Sequence, residues 1–226
     1  MRKYLKIFTI LISGLFTTTV KAEPIKIGPA ELSFNAGYMS NYLWRGMTQN
    51  NNDGSAYFGA DMSLPYNIYI GTWTAAVDYQ GSNQEVDIYA GIAPSFGSIS
   101  LDLGYISYIY PGDNESSSVA SAGFGEFYSS IEFAPEGMPY SLGISYSQDD
   151  TTENETTVFS ASYDLGVFNV SAEKGDYEKS NEWWSVSIDK EIKDMGFTLS
   201  YTDNEMDTSN SDLDKETLYF TVSKDF

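Results

Sequence analysis

Apolar and polar side chains alternate along this chain with a period of two, most clearly near its beginning. The first run places these side chains on one face: Leu32, Phe34, Ala36, Tyr38, Tyr42 and Trp44. The alternate positions form the opposite face: Ser33, Asn35, Gly37, Asn41 and Arg45. Successive side chains of a β-strand point to opposite faces, so this period over a dozen residues predicts a strand rather than a helix.

The same alternation recurs eleven more times and predicts about twelve strands in all. The apolar faces of the later runs begin at Ala56, Tyr69, Val86, Ile99, Phe127, Tyr140, Phe159, Phe168, Trp184, Phe197 and Leu218. In the run that begins at Tyr69, we assign Trp73 and Val77 to the apolar face and Asp78 to the polar face. Each predicted strand therefore has one apolar and one polar face.

Short and long connections alternate between the predicted strands. Short turns are expected around Pro65, Pro94, Pro135, Gly166 and Asp194. Longer polar segments separate them: residues 46–55, 80–84, 111–122, 149–155, 175–181 and 202–215. This asymmetry is typical of an outer-membrane barrel with short periplasmic turns and longer external loops. The predicted fold is therefore all-β, a transmembrane antiparallel up-and-down β-barrel.

A soluble β-sandwich or a lipocalin-like barrel would produce the same alternation with its apolar face turned inward. The last run favours the membrane barrel, because Leu218, Phe220, Val222 and Phe226 share one face and an aromatic residue closes it. We interpret Phe226 as the signal that the bacterial barrel assembly machinery recognises. Lys224 departs from this pattern, although a lysine at a membrane edge can extend its ammonium group to the headgroups.

The first 22 residues are expected to be a signal peptide rather than part of the fold. Arg2, Lys3 and Lys6 precede an apolar run over residues 7–16, and a cleavage site is expected after Ala22. Residues 23–30 are then a short periplasmic segment, and residues 31–226 form the barrel. Export and a membrane barrel together predict the outer membrane of a Gram-negative bacterium.

Composition excludes several classes of function. The formal net charge is −20, with 12 Lys and Arg against 32 Asp and Glu, which opposes binding to nucleic acid. The chain has no histidine and no cysteine, which removes disulfides, thiol chemistry and the commonest general base and transition-metal ligand. We therefore expect no enzymatic activity, no cofactor and no metal centre.

Several segments resemble the TorF family of proteobacterial porins, most strongly within the first 112 residues. These are residues 35–49 (NAGYMSNYLWRGMTQ), 69–73 (YIGTW), 77–79 (VDY), 85–91 (EVDIYAG) and 104–112 (GYISYIYPG). Trp44 stands where that family often has phenylalanine before the Arg-Gly pair. The resemblance implies an outer-membrane location and a channel role, and it supplies no substrate and no catalytic residues.

The polar faces of the predicted strands define a candidate lumen. The charged residues expected to line it are Arg45, Asp61, Asp78, Glu85, Asp87, Asp102, Glu126 and Glu132. Arg45 is the only basic residue in this set, and we expect its partner to be Asp61 or Asp78. Two roles for Arg45 stay open, a charge that selects solutes at a constriction or an ion pair that braces the wall.

Two acidic segments superficially resemble calcium loops. The first runs from Asp203 to Asp207 and continues to Asp212 and Asp214, but Thr208 stands where a calcium loop needs glycine. The second segment, residues 148–155, has a similar composition. The plainer interpretation is that both are solvated external loops, and divalent cations that bridge them to lipopolysaccharide are the alternative.

The leading expectation for function is passive diffusion of small hydrophilic solutes, with a preference for cations because inward carboxylates outnumber Arg45. The alternative is a non-conducting barrel that acts as an adhesin or as a structural element of the surface. Large inward side chains are expected to narrow a twelve-stranded barrel: Tyr57, Tyr89, Tyr108, Tyr128 and Trp183. The expected partners are outer-membrane lipid, lipopolysaccharide and the barrel assembly machinery.

Overall fold

The computed structural model describes residues 23–79, 81–112, 123–207 and 215–226. The expected signal peptide lies outside these residues. The strands are β1 Ile25–Ile27, β2 Ala30–Met39, β3 Leu43–Trp44, β4 Met47–Thr48, β5 Ser55–Leu64, β6 Ile68–Tyr79, β7 Ser82–Ile92, β8 Ser95–Phe96, β9 Ile99–Ile109, β10 Phe124–Phe133, β11 Tyr140–Asp149, β12 Glu155–Asp164, β13 Asn169–Tyr177, β14 Asn181–Ile192, β15 Met195–Met206 and β16 Lys215–Asp225. A short 3-10 helix, Pro65–Asn67, joins β5 to β6. Among the described residues, no helix is long and apolar enough to span a membrane.

Twelve of these strands form a closed antiparallel barrel. Strands β2, β5, β6, β7 and β9 to β16 each pair with two neighbours, and both β16 and β5 pair with β2 to complete the circle. This confirms the predicted fold class and the predicted number of wall strands. The wall strands contain 9 to 12 residues, which matches the length a tilted strand needs to cross a bilayer. Closure also pairs the strand edges, as backbone polar groups in lipid require.

The outer face of the barrel carries the apolar side chains of nearly every wall strand. Large exposed apolar residues on this face include Phe58, Ile70, Ile88, Leu103, Phe127, Ile131, Leu142, Phe159, Ile188, Leu199 and Phe220. An apolar belt of this extent is unfavourable in water and favourable against hydrocarbon chains. The interior is lined instead by tyrosine, serine, threonine and acidic side chains, and the buried apolar core lies inside the barrel.

The seam between the first and last wall strands is short. Strand β16 pairs with β2 through residues 221–225 and 35–39, and Phe226 exchanges two further backbone hydrogen bonds with Phe34, of 2.8 and 3.2 Å. Strand β1 folds back onto β2 and pairs with residues 30–32. Because β5 occupies the other edge of β2 over residues 31–39, β1 lies on the seam side, next to the end of β16. Residues 25–27 therefore cover the part of β2 that β16 does not reach.

The two ends of the barrel differ. Both described termini and the five short turns lie at one end, which we call the terminal end, and the opposite end is the loop end. Two of the expected long segments are shorter than predicted, because Tyr79 pairs with Ser82 and Tyr177 pairs with Asn181. Antiparallel pairing thus continues almost to the tips of these hairpins. Of the expected segments 111–122 and 202–215, residues 113–122 and 208–214 lie outside the described residues.

The predicted faces of β6 are exchanged in the structure. Val77 is buried inside the barrel, whereas Ile70 and Asp78 are exposed on the outside. The prediction that Asp78 lines the lumen is therefore wrong. A β-bulge between Ala76 and Tyr79 interrupts the pairing with β7 at this point. The physical reason for the error is that the inward aromatic residues of β6 are as apolar as the outward isoleucines, so hydropathy does not rank the two faces.

Candidate functional site

A hairpin inside the barrel is the main feature of the lumen. After β2 the chain leaves the wall and returns only at Ser55, and we call residues 40–54 the lumen hairpin. Strands β3 and β4 pair within it around a turn formed by Arg45 and Gly46, whose φ angles are 51° and 80°. Two consecutive residues in the left-handed region make the tight hairpin turn that favours glycine.

The prediction that the first wall strand continues to Arg45 is wrong. Tyr42, which was expected on the lipid face, is 2% exposed inside the barrel. The alternation of side chains persists in the sequence across Ser40, but the backbone turns inward there. Period-two alternation reports an extended chain and does not report which partner strand that chain pairs with.

The lumen hairpin crosses the barrel near the loop end and contacts opposite walls. On one side the Tyr42 hydroxyl donates a 2.7 Å hydrogen bond to Glu85 of β7. On the other side the Asn181 amide of β14 donates a 2.7 Å hydrogen bond to the carbonyl oxygen of Arg45. Trp44 packs edge-on against Tyr108 of β9 and Tyr177 of β13. The hairpin therefore narrows the lumen from several directions.

Arg45 forms a buried ion pair that secures the hairpin. Its Nη2 atom lies 2.8 and 2.7 Å from the two carboxylate oxygens of Glu126 and 3.0 Å from the Ser147 hydroxyl. The guanidinium carbon also lies 4.1 Å from the centre of the Trp44 ring and 4.6 Å from that of Tyr177. Arg45 is 5% exposed and Glu126 is fully buried. The aromatic rings and the carboxylate together stabilise a charge that water does not reach.

The partner of Arg45 is thus Glu126, and the prediction of Asp61 or Asp78 is wrong. Asp61 lies nearer the terminal end of the barrel, where it accepts a 2.6 Å hydrogen bond from Tyr89. The error follows from placing Arg45 on the wall: a strand position would reach its immediate neighbours, whereas the hairpin carries the side chain across the lumen. The remaining expected carboxylates, Glu85, Asp87, Asp102 and Glu132, belong to the inward faces of β7, β9 and β10.

Tyrosine hydroxyl groups donate to several of the inward carboxylates. Besides the pairs formed by Asp61 and Glu85, the Tyr69 hydroxyl donates a 2.7 Å hydrogen bond to Asp102 and also contacts the Tyr128 hydroxyl. The large inward tyrosines therefore do more than fill space. They satisfy carboxylates that are otherwise costly to bury.

Two different walls enclose the lumen. The aromatic wall, formed by β5 to β10 and the residue that follows β9, carries Tyr57, Tyr69, Trp73, Tyr89, Tyr108, Tyr110 and Tyr128. The hydroxyl wall, on β11 to β15, carries small polar inward side chains: Ser141, Ser145, Ser147, Thr156, Ser160, Ser162, Ser171, Ser185, Ser187, Thr198, Ser200 and Thr202. The short side chains of the hydroxyl wall project less far into the barrel, so the lumen is asymmetric.

Besides Asp149, which the sequence analysis assigned to an external loop, sequence reasoning missed two inward carboxylates on the hydroxyl wall. Glu173 accepts a 2.9 Å hydrogen bond from the Trp183 indole, and Asp189 accepts a 2.7 Å hydrogen bond from Thr198. Both alternate with side chains that the sequence assigns to the outer face, so the same period-two rule identifies them once it is applied to β13 and β14.

The two acidic segments do not share one structure. Asp203 and Glu205 lie within β15, where the Trp184 indole donates a 3.2 Å hydrogen bond to Asp203. Asp212 and Asp214 lie outside the described residues. In residues 148–155, Asp149 accepts hydrogen bonds of 2.7 Å from the backbone N–H groups of residues 151 and 152, which forms a turn. Among the described residues, no group of three or more acidic side chains is arranged to hold a metal ion.

These features define the fold class of the protein as a closed antiparallel β-barrel with an apolar outer belt, a polar lumen and an inward-folded hairpin. The chain belongs to the family described as bacterial protein of unknown function (Gcw_chp), which it matches over residues 22–226. The TorF name stays a resemblance. No curated protein matches the sequence.

Solved porin structures share this fold. The KdgM porin superposes with a TM-score of 0.58 at 8% identity, and the match covers 87% of this chain and 98% of that chain. A KdgM porin in complex with disordered oligogalacturonate gives 0.57 at 9% identity, with the same coverage. The NanC porin gives 0.53 at 8% identity, covering 85% of this chain and 97% of that chain. At these identities the likeness concerns the fold alone.

Proposed function

We propose that this protein is a porin-like channel of the Gram-negative outer membrane, through which small hydrophilic solutes diffuse passively with a preference for cations. The observation that carries the proposal is the charge of the lumen. Among the described residues, the buried carboxylates are Glu85, Asp87, Asp102, Glu126, Asp149 and Asp189, and Arg45 is the buried basic residue.

The ion pair with Glu126 neutralises Arg45, so the other buried carboxylates determine the field inside the barrel. The wall and the surrounding lipid have a low dielectric constant, which concentrates that field in the lumen. Mobile cations are then enriched in the lumen and anions are depleted.

We further propose that solutes pass along the hydroxyl wall. The lumen hairpin packs against the aromatic wall through Tyr42 and Trp44, and its tip reaches the loop end of the hydroxyl wall at Ser147 and Asn181. Serine and threonine side chains line the rest of that wall toward the terminal end. Hydroxyl groups exchange hydrogen bonds readily with water and with polar solutes. One KdgM structure contains oligogalacturonate, a polyanion, and an acidic lumen would repel such a solute.

Planar-bilayer recordings of the purified protein test conduction, and single cysteines test the path. The chain contains no native cysteine, so each introduced thiol is unique. Ser160 and Ala161 are neighbours on β12 with opposite faces, Ser160 inward and Ala161 outward. A bulky thiol reagent should reduce the conductance of Ser160→Cys and leave that of Ala161→Cys unchanged. Equal effects on both variants would contradict the proposed path.

The non-conducting barrel is the second candidate, and the lumen hairpin favours it, because the hairpin contacts β7 and β14 from inside. Such a barrel would act through its surface, as an adhesin or a structural element. Absence of conductance at all applied voltages, from protein that still shows the heat-dependent gel shift of a folded barrel, would support this candidate and remove the channel.

A further inference from the structure

Asp87 differs from the other inward carboxylates on the aromatic wall. Asp61, Glu85 and Asp102 each accept a hydrogen bond from a tyrosine, and Glu126 pairs with Arg45. The Oδ1 atom of Asp87 is buried and receives no hydrogen bond from any described residue, and Asp87 is 6% exposed. Asp102 also has one buried oxygen without a partner, Oδ2, but its Oδ1 atom accepts the Tyr69 hydroxyl. A buried carboxylate oxygen without a donor or a counter-charge is costly, and it indicates a missing partner.

The surroundings of Asp87 specify the charge of that partner. Glu85 lies two residues away on the same inward face of β7, so the two carboxylates are neighbours. Trp73 of β6 and Tyr108 of β9 are the directly paired residues on the two flanking strands. Among the described residues, the buried basic side chain is Arg45, and it is already bound to Glu126. The pair of carboxylates therefore lacks a positive charge of its own.

We propose that Glu85 and Asp87 hold a hard divalent cation, Ca²⁺ or Mg²⁺, in the lumen beside the lumen hairpin, on its terminal-end side. The available donors are all oxygen: two carboxylates and the Tyr42 hydroxyl that bonds Glu85. Oxygen ligands without nitrogen or sulfur suit these ions. A site with two carboxylates leaves positions for water, which magnesium in particular retains.

This site deepens the proposed function and rests on it for access, because the ion reaches Asp87 through the lumen. A bound divalent cation would bridge β7 electrostatically to the Tyr42 side of the lumen hairpin. It would also compensate the negative charges of Glu85 and Asp87.

Terbium luminescence in detergent tests the site directly. Tb³⁺ occupies oxygen-rich calcium sites and emits when a nearby aromatic ring absorbs light, and Trp73 is the ring paired with Asp87. The wild-type protein should give tryptophan-sensitised emission that Ca²⁺ displaces. Asp87→Asn should weaken the apparent affinity by about tenfold or more. Trp73→Phe should lower the emission without changing the affinity.

Asp189→Asn is the matched control, because Asp189 is also inward and buried but already accepts a hydrogen bond from Thr198. It should bind Tb³⁺ as the wild type does, and the heat-dependent gel shift should show that every variant is folded. Equal affinity of Asp87→Asn and wild type would overturn the site, whether or not the channel conducts. Binding that depends on Asp87 in a protein without conductance would keep the site and remove the proposed function.

Discussion

Replacing Arg45 with alanine should release the lumen hairpin from the wall. The substitution removes two hydrogen bonds to Glu126, one to Ser147, and the stacking of the guanidinium on Trp44 and Tyr177. It also leaves the fully buried Glu126 without a counter-charge. Breaking a buried ion pair from one side costs about 3 to 5 kcal/mol. If the hairpin bears that cost, its docking equilibrium shifts by about two to four powers of ten.

Single-channel recording is the appropriate assay, because a released hairpin changes the free cross-section of the lumen. Arg45→Ala should show a larger conductance or repeated transitions between levels, where the wild type is steady. Glu126→Gln should act in the same direction, since it leaves Arg45 buried and unpaired. The double variant Arg45→Met with Glu126→Leu should recover much of the wild-type behaviour, because no isolated charge remains buried.

Lys174→Ala is the matched control for loss of an ion pair. Lys174 and Glu182 form a 2.8 Å pair whose side chains are 66% and 52% exposed, so its contribution is expected to be about 0 to 1 kcal/mol. Conductance should not change in this variant. If Arg45→Ala also behaved like the wild type, the buried pair would not hold the hairpin and the reasoning would be refuted.

Three further outcomes follow from the wall and its turns. A Cβ at Gly104 would overlap the Tyr128 ring, so Gly104→Val should destabilise the barrel by about 1 to 3 kcal/mol. The temperature of the heat-dependent gel shift should fall accordingly, and an unchanged temperature would contradict this packing. Deleting Phe226 removes the backbone hydrogen bonds that extend the seam, so less protein should reach the outer membrane. Wild-type amounts of the deletion variant would contradict this role of Phe226. The Tyr105 hydroxyl and a backbone N–H of β10 hold the pKa of Asp150 below its ordinary value. A lowered pKa means that this contact stabilises the turn above the ordinary pKa and is lost as the pH falls below about 4. The protection factor of that N–H, which is corrected for the slower intrinsic exchange in acid, should therefore fall, and Asp150→Asn should remove the pH step.

The wall of the barrel is predictable from the sequence because each of its strands has an outer face in apolar surroundings and an inner face in the polar lumen. In β7, Ile88 and Ile92 face outward and Glu85 and Asp87 face inward, as their alternation predicts. The same rule places Asp102 and Glu126 inside. Lipid on one side and polar groups on the other make a register slip costly, so local pattern and global fold agree.

The lumen hairpin is not predictable in the same way. Tyr42 and Trp44 continue the alternation of β2, and nothing in their hydropathy separates a lipid-facing ring from one packed inside a polar lumen. The Arg45-Gly46 pair is the local signal that was available, because two residues with positive φ make a tight hairpin turn. The contact between Arg45 and Glu126 spans 81 positions, and no local pattern encodes it.

The reversal potential in a salt gradient tests the central claim, the effect of an acidic lumen on permeation, most directly. With potassium chloride at unequal concentrations on the two sides, the sign of the potential should show that K⁺ permeates more readily than Cl⁻. The preference should shrink as salt is added, because the Debye length falls from about 10 Å at 0.1 M to about 3 Å at 1 M. A potential of the opposite sign, with Cl⁻ as the preferred ion at low salt, would contradict it.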